Sequence, residues 1–351
     1  MKNPGNNKVV LIGTGFVGMS YAYAMLNQGG AGAREFVLID VDKEKAIGEA
    51  MDLNHGLAFA PRALRIWAGD YKDCADADLV VISAGISQQK GETRLELLTR
   101  NAAIFHDIVE EVMSSGFNGI FLVATNPVDI MTYLTWKYSG LPQHRVIGSG
   151  TTLDTARLRY MLGDRLNVNP KNVHAYIMGE HGDSEFAPWS VAMVGVKPIL
   201  KYVFDKQLDF AELEKTYEGV RDAAYHIIEK KKATYYGIGM ALTSITEAIL
   251  NNSSSILSIS CYLDGQYGIT DVYMGVPSIL HRNGVKEIME LSLTAEDLGK
   301  LHASAHILQN TIKSVIDKEE LQQKPKKAPE TKKTTSSQTA TKKAPPKKKS
   351  K

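Results

Sequence analysis

The chain has 351 residues, of which 44% are hydrophobic and 23% are charged, and its formal net charge is +2. This size fits one large or two ordinary domains of a globular protein. The sequence contains no run of eighteen apolar residues, so we predict no membrane-spanning helix. The two cysteines, Cys74 and Cys261, are too few for a disulfide framework or a multi-cysteine zinc site, so we predict no metal and a cytoplasmic location.

Short apolar segments alternate with helical segments through the first half of the chain. In chain order, the pattern predicts a strand at 8–12, a helix at 16–28, a strand at 35–40, a helix at 43–55, and strands at 64–68, 79–84 and 120–125. The strands are apolar almost throughout, which is typical of a parallel sheet that helices cover on both faces. The alternation predicts a doubly wound α/β fold, which we assign to a first domain at 1–150.

The second half is more mixed in pattern. It predicts helices at 152–166, 210–250 and 295–318, and strands at 173–178, 256–263 and 271–277. The apolar residues of the last helix recur at spacings of three and four, which places them on one packing face. They are Leu298, Leu301, Ala305, Leu308, Ile312 and Val315. We therefore predict a second domain, of mixed α/β structure, at 151–320.

Residues 321–351 differ in composition from the rest of the chain. From residue 324 this tail holds eleven lysines, one glutamate and no aromatic residue, a net charge of +10, whereas the residues before it hold 30 basic and 38 acidic residues. Such a segment cannot bury enough apolar area to offset the entropy of ordering, so we predict that the tail is disordered. The tail is either a solvated appendage or a segment that binds polyanions such as nucleic acid.

A glycine-rich hexad follows the first predicted strand and opens the first predicted helix. It has the pattern GxGxxG, with Gly13, Gly15 and Gly18 at the glycine positions. In this context the pattern indicates a loop that brings backbone amides and a helix N-terminus to a pyrophosphate. Asp40 ends the second strand, where a carboxylate can bind the ribose hydroxyls of NAD and repel the extra phosphate of NADP. The alternative is a tight turn with Asp40 as a helix cap.

A histidine near the end of a predicted strand is the strongest candidate for acid–base chemistry. His181 lies in the segment MGEHGDS, among small and acidic residues, and a histidine exchanges protons near neutral pH. Asp154 and Arg157 are three residues apart on a predicted helix and so share a face. That face could offer a carboxylate to His181 and a guanidinium to an anionic substrate. Spacing alone leaves this pairing open.

Seven motifs occur in the order that the lactate/malate dehydrogenase family has them, across roughly residues 8–318. They are GTGFVG, LID, AGISQQKGETR, ATNPVD, LDTARLR, GEHGDSE and ATYYGIG. The chain therefore resembles a member of that family. The resemblance implies that the first domain is a Rossmann domain that binds NAD as the cofactor, and that the second is the α/β substrate and catalytic domain. Among lactate-forming members it implies reversible hydride transfer between NADH and pyruvate, giving L-lactate and NAD in fermentative glycolysis.

The resemblance also assigns roles to single residues. His181 resembles the histidine that protonates the keto oxygen, and Asp154 resembles its partner. Arg157 resembles the clamp on the substrate carboxylate, and Arg94 the lid arginine that polarises the reacting carbonyl. By resemblance, the other substrate contacts are Gln88, Asn126 and Thr234. The coenzyme contacts are Gly13, Gly15, Val17, Gly18, Asp40, Gly85, Thr125, Asn126 and Ile238.

Gln88 separates the two main substrates of the family. Malate enzymes have an arginine at the matching position, which pairs with the second carboxylate of oxaloacetate. A neutral glutamine cannot offset the burial of that charge, so Gln88 favours pyruvate. The neighbouring residues Gln89 and Lys90 depart from the usual lactate pattern. A malate or other 2-hydroxy-acid dehydrogenase on the same fold is therefore the alternative.

A second ligand site is implied by the resemblance. Arg159 and His174 match the positions where allosteric bacterial members bind fructose 1,6-bisphosphate between subunits, and we expect a homotetramer activated by that ligand. The alternative is that both residues have only structural roles. Two other classes of function stay open, a nucleic-acid-binding protein that uses the tail and a catalytically inactive NAD sensor.

Overall fold

The computed structural model describes residues 7–86, 91 and 93–323, except the side chains of residues 94 and 319–323. Gln88 and the basic tail from residue 324 onward lie outside this description, as does the side chain of Arg94. The strands are β1 (Lys8–Ile12), β2 (Glu35–Ile39), β3 (Arg65–Ala68), β4 (Leu79–Ile82), β5 (Ile120–Val123), β6 (Val146–Gly148), β7 (Val173–His174), β8 (Met193–Val194), β9 (Lys197–Pro198), β10 (Ser255–Asp264), β11 (Thr270–His281) and β12 (Gly284–Ile288). The helices are α1 (Phe16–Asn27), α2 (Lys43–Gly56), α3 (Arg94–Ser114), α4 (Val128–Ser139), α5 (Thr152–Leu166), α6 (Ile199–Phe204), α7 (Phe210–Lys231), α8 (Tyr236–Leu250) and α9 (Ala295–Gln323).

Nine of the strands in the described ranges form one sheet, in the order β12-β11-β10-β6-β5-β4-β1-β2-β3. The six strands from β3 to β6 are parallel, with Val10 of β1 opposite Val37 of β2 and Val80 of β4. Except for the edge strand β3, these strands are buried along almost their whole length, because helices cover both faces of the sheet. The predicted doubly wound α/β fold is confirmed.

The large sheet continues from the parallel strands into the second half of the chain. Ser260 of β10 pairs with Gly148 of β6 in antiparallel sense, and β11 and β12 extend the sheet further. The remaining strands β7, β8 and β9 form a small antiparallel sheet. One hydrogen-bonded sheet therefore continues across the predicted domain boundary near residue 150. This sheet fixes the ends of β6 and α5 relative to β10.

The predicted strand at 173–178 is shorter than expected. Only Val173 and His174 form a strand, because side-chain hydroxyls take the place of a neighbouring strand further along. The Ile177 carbonyl accepts a hydrogen bond from Thr151 Oγ1 at 2.7 Å, and the Ile177 amide donates one to Thr155 Oγ1 at 3.0 Å. This segment leads directly to His181, so its position depends on the start of α5.

The single helix predicted at 210–250 is two helices. Helix α7 ends at Lys231, and Lys232 has a left-handed backbone with φ of 71°. Helix α8 begins at Tyr236 and packs against α1, where the Tyr21 hydroxyl hydrogen-bonds Thr246 Oγ1 at 2.8 Å. The break places Thr234 between the two helices, close to the glycine-rich loop that precedes α1.

The apolar stripe of the last helix packs on the body of the chain. Leu301, Ala305, Leu308, Ile312 and Val315 are buried against α3, α4 and β11, as the spacing predicts. Within the described residues, no helix is both long enough and apolar enough to span a bilayer.

Candidate active site

The glycine-rich loop between β1 and α1 is shaped by two close backbone approaches. Gly13 has φ of +100°, and a Cβ there would lie 2.6 Å from the Ala84 amide nitrogen. A Cβ on Gly18 would overlap the carbonyl oxygen of Gly13. Nothing lies within 4 Å of the corresponding position on Gly15, so its backbone faces open space at the N-terminus of α1. The loop therefore leaves room for a phosphate beside backbone amides.

Replacing Gly18 with alanine is expected to lower the free energy of unfolding by about 2 kcal/mol, because the loop must shift away from the new methyl group. The same variant should bind NADH more weakly, since the loop carries the pyrophosphate contacts. Gly48→Ala is the matched control, because this glycine lies in α2 with nothing within 4 Å of the added atom. Urea unfolding and NADH fluorescence titration measure both effects. Equal stability of the two variants would contradict the packing argument.

Asp40 is held at the end of β2 facing this loop. Its Oδ2 accepts hydrogen bonds from the Thr14 amide at 2.7 Å and the Thr14 hydroxyl at 2.8 Å, and its Oδ1 accepts one from the Asp42 amide at 3.0 Å. Partial burial alone would raise the pKa of Asp40, but these hydrogen bonds outweigh it and lower the pKa. Asp40 is therefore a carboxylate, and Oδ1 keeps one lone pair that could accept from a ribose hydroxyl. This donor and acceptor set fits a dinucleotide without a 2′-phosphate.

A buried carboxylate joins the histidine and the arginine that the sequence singles out. Asp154 Oδ2 lies 2.6 Å from His181 Nδ1, and Asp154 Oδ1 accepts a hydrogen bond of 2.7 Å from Arg157. The Asp154 side chain is only 2% exposed, whereas His181 keeps 25% exposure and Arg157 14%. The three side chains thus form one unit whose outer groups, His181 and Arg157, remain partly exposed.

The charges in this unit are mutually stabilised. Burial alone would lower the pKa of His181, but the Asp154 carboxylate outweighs burial and raises the pKa to about 9. Burial alone would raise the pKa of Asp154, but His181 and Arg157 outweigh it and lower the pKa. Because Asp154 is ionised, the shared proton belongs to His181 Nδ1, which donates the hydrogen bond. The other ring nitrogen is then free to exchange a proton with a ligand.

The segment that carries His181 is fixed by groups from distant parts of the chain. The His181 amide donates a hydrogen bond to Oδ2 of Asp129 at 2.8 Å, and Gly179 exchanges two backbone hydrogen bonds with Gly275 of β11. Asp129 is 1% exposed, and burial raises its pKa to about 6 despite the His181 amide. Asp129 lies in the first turn of α4, so the start of that helix supports the His181 backbone.

The predicted coenzyme contacts on the sheet lie at the ends of neighbouring parallel strands. Gly85 follows β4, and Thr125 follows β5 and donates from its hydroxyl to the Ala84 carbonyl at 2.7 Å. Asn126 is exposed at the same edge, and Val17 is half-buried in the first turn of α1. Carboxyl ends of parallel strands meet at one edge, which is where doubly wound sheets bind ligands.

The start of α8 approaches this edge from the second half of the chain. Thr234 and Ile238 are both half-buried, on either side of the α8 N-terminus. The ring of Tyr235 stacks on that of Phe16 at the start of α1, with centroids 5.4 Å apart. The structure therefore brings Thr234 and Ile238 beside the glycine-rich loop.

Not every predicted site residue belongs to this cleft. The Arg159 guanidinium lies 5.0 Å from the centroid of the Tyr176 ring, and its Nε donates to the Ala175 carbonyl at 3.0 Å. His174 is exposed on β7 in the same segment. Arg159 and His174 thus flank one surface that is separate from the His181 unit.

Sequence reasoning missed two acidic residues near His181. One is Asp129, which the motif ATNPVD contains, and the other is Glu185, which the motif GEHGDSE contains. Each is buried. In each case an acid stands among apolar or small residues, and this pattern could have indicated a buried carboxylate. Only the fold shows which groups each carboxylate faces.

The fold and site define a dinucleotide-dependent dehydrogenase. Residues 7–148 match the family described as "lactate/malate dehydrogenase, NAD binding domain", and residues 151–319 match "lactate/malate dehydrogenase, alpha/beta C-terminal domain". The chain belongs to the lactate/malate dehydrogenase family. The predicted family and the predicted NAD cofactor are thereby confirmed.

Close relatives of the chain share nearly their full length with it. An L-lactate dehydrogenase of Bacillus caldolyticus is 59% identical over 317 residues, which cover 90% of this chain and 98% of that protein. An L-lactate dehydrogenase of Geobacillus stearothermophilus is 58% identical over 317 residues, with the same coverage. Among solved structures, the ligand-bound minor L-lactate dehydrogenase of Enterococcus mundtii is similar with a TM-score of 0.87 and 53% identity, over 88% of this chain and 98% of that one.

Proposed function

We propose that this chain is an NAD-dependent L-lactate dehydrogenase that reduces pyruvate and oxidises lactate. One observation carries the proposal: the buried Asp154 carboxylate is shared between the His181 imidazole and the Arg157 guanidinium. A proton donor and an anion-binding group are thereby fixed a few ångströms apart. A 2-keto acid has a keto oxygen next to a carboxylate, which is the spacing that this pair offers.

The residues divide the reaction among them. When bound, NADH supplies the hydride to the keto carbon. Arg157 binds the substrate carboxylate and fixes the keto group against His181, whose imidazolium donates a proton to the keto oxygen. Asp154 stabilises the imidazolium and holds its orientation. In the reverse direction the neutral imidazole accepts the hydroxyl proton of lactate.

Four further residues complete the proposed substrate site. Asn126 binds substrate at the strand edge, and Thr234 lines the pocket from the α7–α8 break. Arg94 is the first residue of α3, and by its family position it polarises the keto group. By its family position, Gln88 offers no cation to a second substrate carboxylate, which favours pyruvate over oxaloacetate. Support for Arg94 and Gln88 comes from the family motif, since both lie outside the described side chains.

A panel of 2-keto acids tests the proposed substrate. NADH oxidation with pyruvate, 2-oxobutyrate and oxaloacetate should give the highest kcat/KM with pyruvate. NADPH should be a poor substitute, because Asp40 would face its 2′-phosphate. A preference for oxaloacetate would instead favour a malate dehydrogenase, and no turnover of any keto acid would contradict the proposal.

Replacing Gln88 with arginine is expected to shift the preference from pyruvate to oxaloacetate, changing the ratio of the two kcat/KM values at least about 100-fold. The added guanidinium pairs with the second carboxylate and leaves a charge unpaired beside the methyl group of pyruvate. The same ratio is measured for Gln89→Arg, the neighbouring control, which should change it much less. Equal shifts in the two variants would remove the assigned role from Gln88.

We also propose a homotetramer that fructose 1,6-bisphosphate activates at the surface flanked by Arg159 and His174. Support comes from their family positions and from the half-buried Arg159 guanidinium above Tyr176. The bisphosphate should lower the half-saturating pyruvate concentration at near-neutral pH, because an activator binds the active state more tightly. Arg159→Gln should lose this response and keep its basal activity. Overlapping saturation curves with and without the bisphosphate would reject the effector.

The division into domains at 1–150 and 151–320 is likewise proposed, with the two family matches as support. A cytoplasmic location is proposed because Cys74 and Cys261 are both buried free thiols.

For the basic tail, we propose an appendage that the reaction does not need. Removing residues 324–351 should leave pyruvate reduction unchanged. Retention of the full chain on RNA at low salt, lost in the truncated chain, would favour the polyanion-binding alternative.

A further inference from the structure

A second buried acid lies next to Asp154 and His181, which we call the catalytic pair. Glu185 is 4% exposed, and its Oε1 has no hydrogen-bond partner in the structure. One nitrogen of His181 and one carboxylate oxygen from each of Asp154 and Glu185 lie within 4.8 Å of one another. A buried acid without a partner is costly to keep unless it has a role or changes its protonation.

Glu185 faces a mixed electrostatic environment from several elements. The groups around it and around its neighbour His181 are Asp154 and Arg157 on α5, Asp129 on α4, and Tyr217 and Arg221 on α7. Burial first, and then the Asp154 charge, raise the pKa of Glu185 to about 9, while His181 and the two arginines oppose the rise. At neutral pH Glu185 is therefore a protonated acid beside an imidazolium.

Glu185 also lines a cavity of about 800 Å³ whose other walls come mainly from α7 and α9. Its walls include Glu214 and Tyr217 of α7 and Lys300 of α9. Phe210 and Lys300 are exposed at this cavity, so it is open to solvent. Glu185 is therefore both a neighbour of His181 and Asp154 and a wall residue of a cavity that is open to solvent.

We propose that Glu185 is a positioning residue of the reaction, whose carboxyl group shares protons with His181 and exchanges them with solvent through this cavity. The inference rests on the proposed reduction of pyruvate. When His181 gives its Nε2 proton to the keto oxygen, Nδ1 keeps the proton that it donates to Asp154, and Nε2 takes a new proton from the Glu185 acid. The resulting carboxylate then takes a proton from hydronium in the cavity. One bridging water or a rotation of the Glu185 side chain spans the distance.

The Glu185 carboxyl group also helps to keep His181 protonated at alkaline pH. As the pH rises, Glu185 ionises beside His181, and the new negative charge favours the protonated ring. Glutamine has the same shape but cannot ionise. In Glu185→Gln the imidazolium should therefore lose its proton at lower pH than in the natural chain.

The test is the pH profile of kcat/KM for pyruvate at saturating NADH, measured between about pH 6 and pH 10. The alkaline limb should move down by about one pH unit in Glu185→Gln, whereas Glu214→Gln, an exposed acid of the same cavity, should leave it unchanged. The pH dependence of oxamate binding to the enzyme–NADH complex should move in the same direction. Both readouts are independent of the fraction of active protein.

Coincident profiles for Glu185→Gln and the natural chain would overturn this inference while leaving pyruvate reduction in place. Failure of the natural chain to reduce pyruvate would overturn the proposed function instead. Glu185→Asp is a second variant, which keeps the acid and should keep most of the alkaline limb. An equal downward shift in Glu185→Asp and Glu185→Gln would also contradict proton sharing, because the shift would then follow side-chain shape.

Discussion

Replacing His181 with glutamine is expected to lower kcat/KM for pyruvate by about 1000-fold, within the range found when a general acid is removed. Glutamine can still hydrogen-bond Asp154, so the buried carboxylate keeps a partner and the fold is retained. It cannot donate a proton to the keto oxygen. The loss should fall on turnover, and the dissociation constant of NADH, measured by fluorescence, should change little.

His306→Gln is the control for this experiment, because His306 is exposed on α9 far along the chain from the catalytic segment. It should keep the activity of the natural chain. The pH dependence gives a second check. The raised pKa of His181, about 9, means that the imidazolium needed for pyruvate reduction persists below that pH and is lost above it. Full activity of His181→Gln with pyruvate would refute the acid–base role.

Replacing Arg157 with lysine is expected to raise KM for pyruvate by about 100-fold, which corresponds to about 3 kcal/mol of binding. Lysine keeps the positive charge beside Asp154 but cannot make two parallel hydrogen bonds to a carboxylate. The effect therefore isolates the geometry of the clamp from the charge of the buried unit. Arg157→Leu removes both and should lose about another tenfold.

Arg165→Lys is the matched control on the same helix, since Arg165 pairs with Glu212 at the surface. Its KM for pyruvate should remain within the error of the natural value. Oxamate binding should weaken in parallel with KM in Arg157→Lys, because oxamate carries the same carboxylate. An unchanged oxamate affinity in that variant would show that the substrate carboxylate lies elsewhere.

The parallel half of the fold could be predicted closely from sequence. The strands β1, β2, β4 and β5 fall within the predicted segments, because a buried parallel strand must be apolar along its whole length. The glycine-rich loop was equally readable. Gly13 has a backbone conformation that side chains disfavour, and Gly18 has no room for a Cβ. Such requirements restrict the residue type at one position and therefore leave a mark in the sequence.

The catalytic unit could be predicted only in part. The spacing of Asp154 and Arg157 placed them on one face of a helix, and the structure has them hydrogen-bonded. Spacing could not bring His181 to Asp154, 27 residues away. The family motifs supplied that pairing as an expectation. The part of the chain that carries Gln88 lies outside the described residues, so substrate choice at that position stays a prediction.

Tertiary contacts changed several predictions in the second half. The strand expected at 173–178 stops after His174, because Thr151 and Thr155 satisfy the Ile177 backbone groups. The long helix breaks at Lys232, which has a left-handed backbone without being a glycine. In both places, side chains or packing from elsewhere in the fold replaced the local preference.

The amino-acid sequence by itself determined the alternating α/β architecture, the glycine-rich loop, the acid that follows β2 and the amphipathic last helix. Each of these depends on periodicity or on residue types a few positions apart. Only the tertiary structure decided that one sheet joins the two halves, that Asp129 supports the His181 backbone, and that Glu185 lies buried beside the catalytic pair. The ionisation of a buried acid depends on charges and solvent access that come from distant segments, and no local pattern records them.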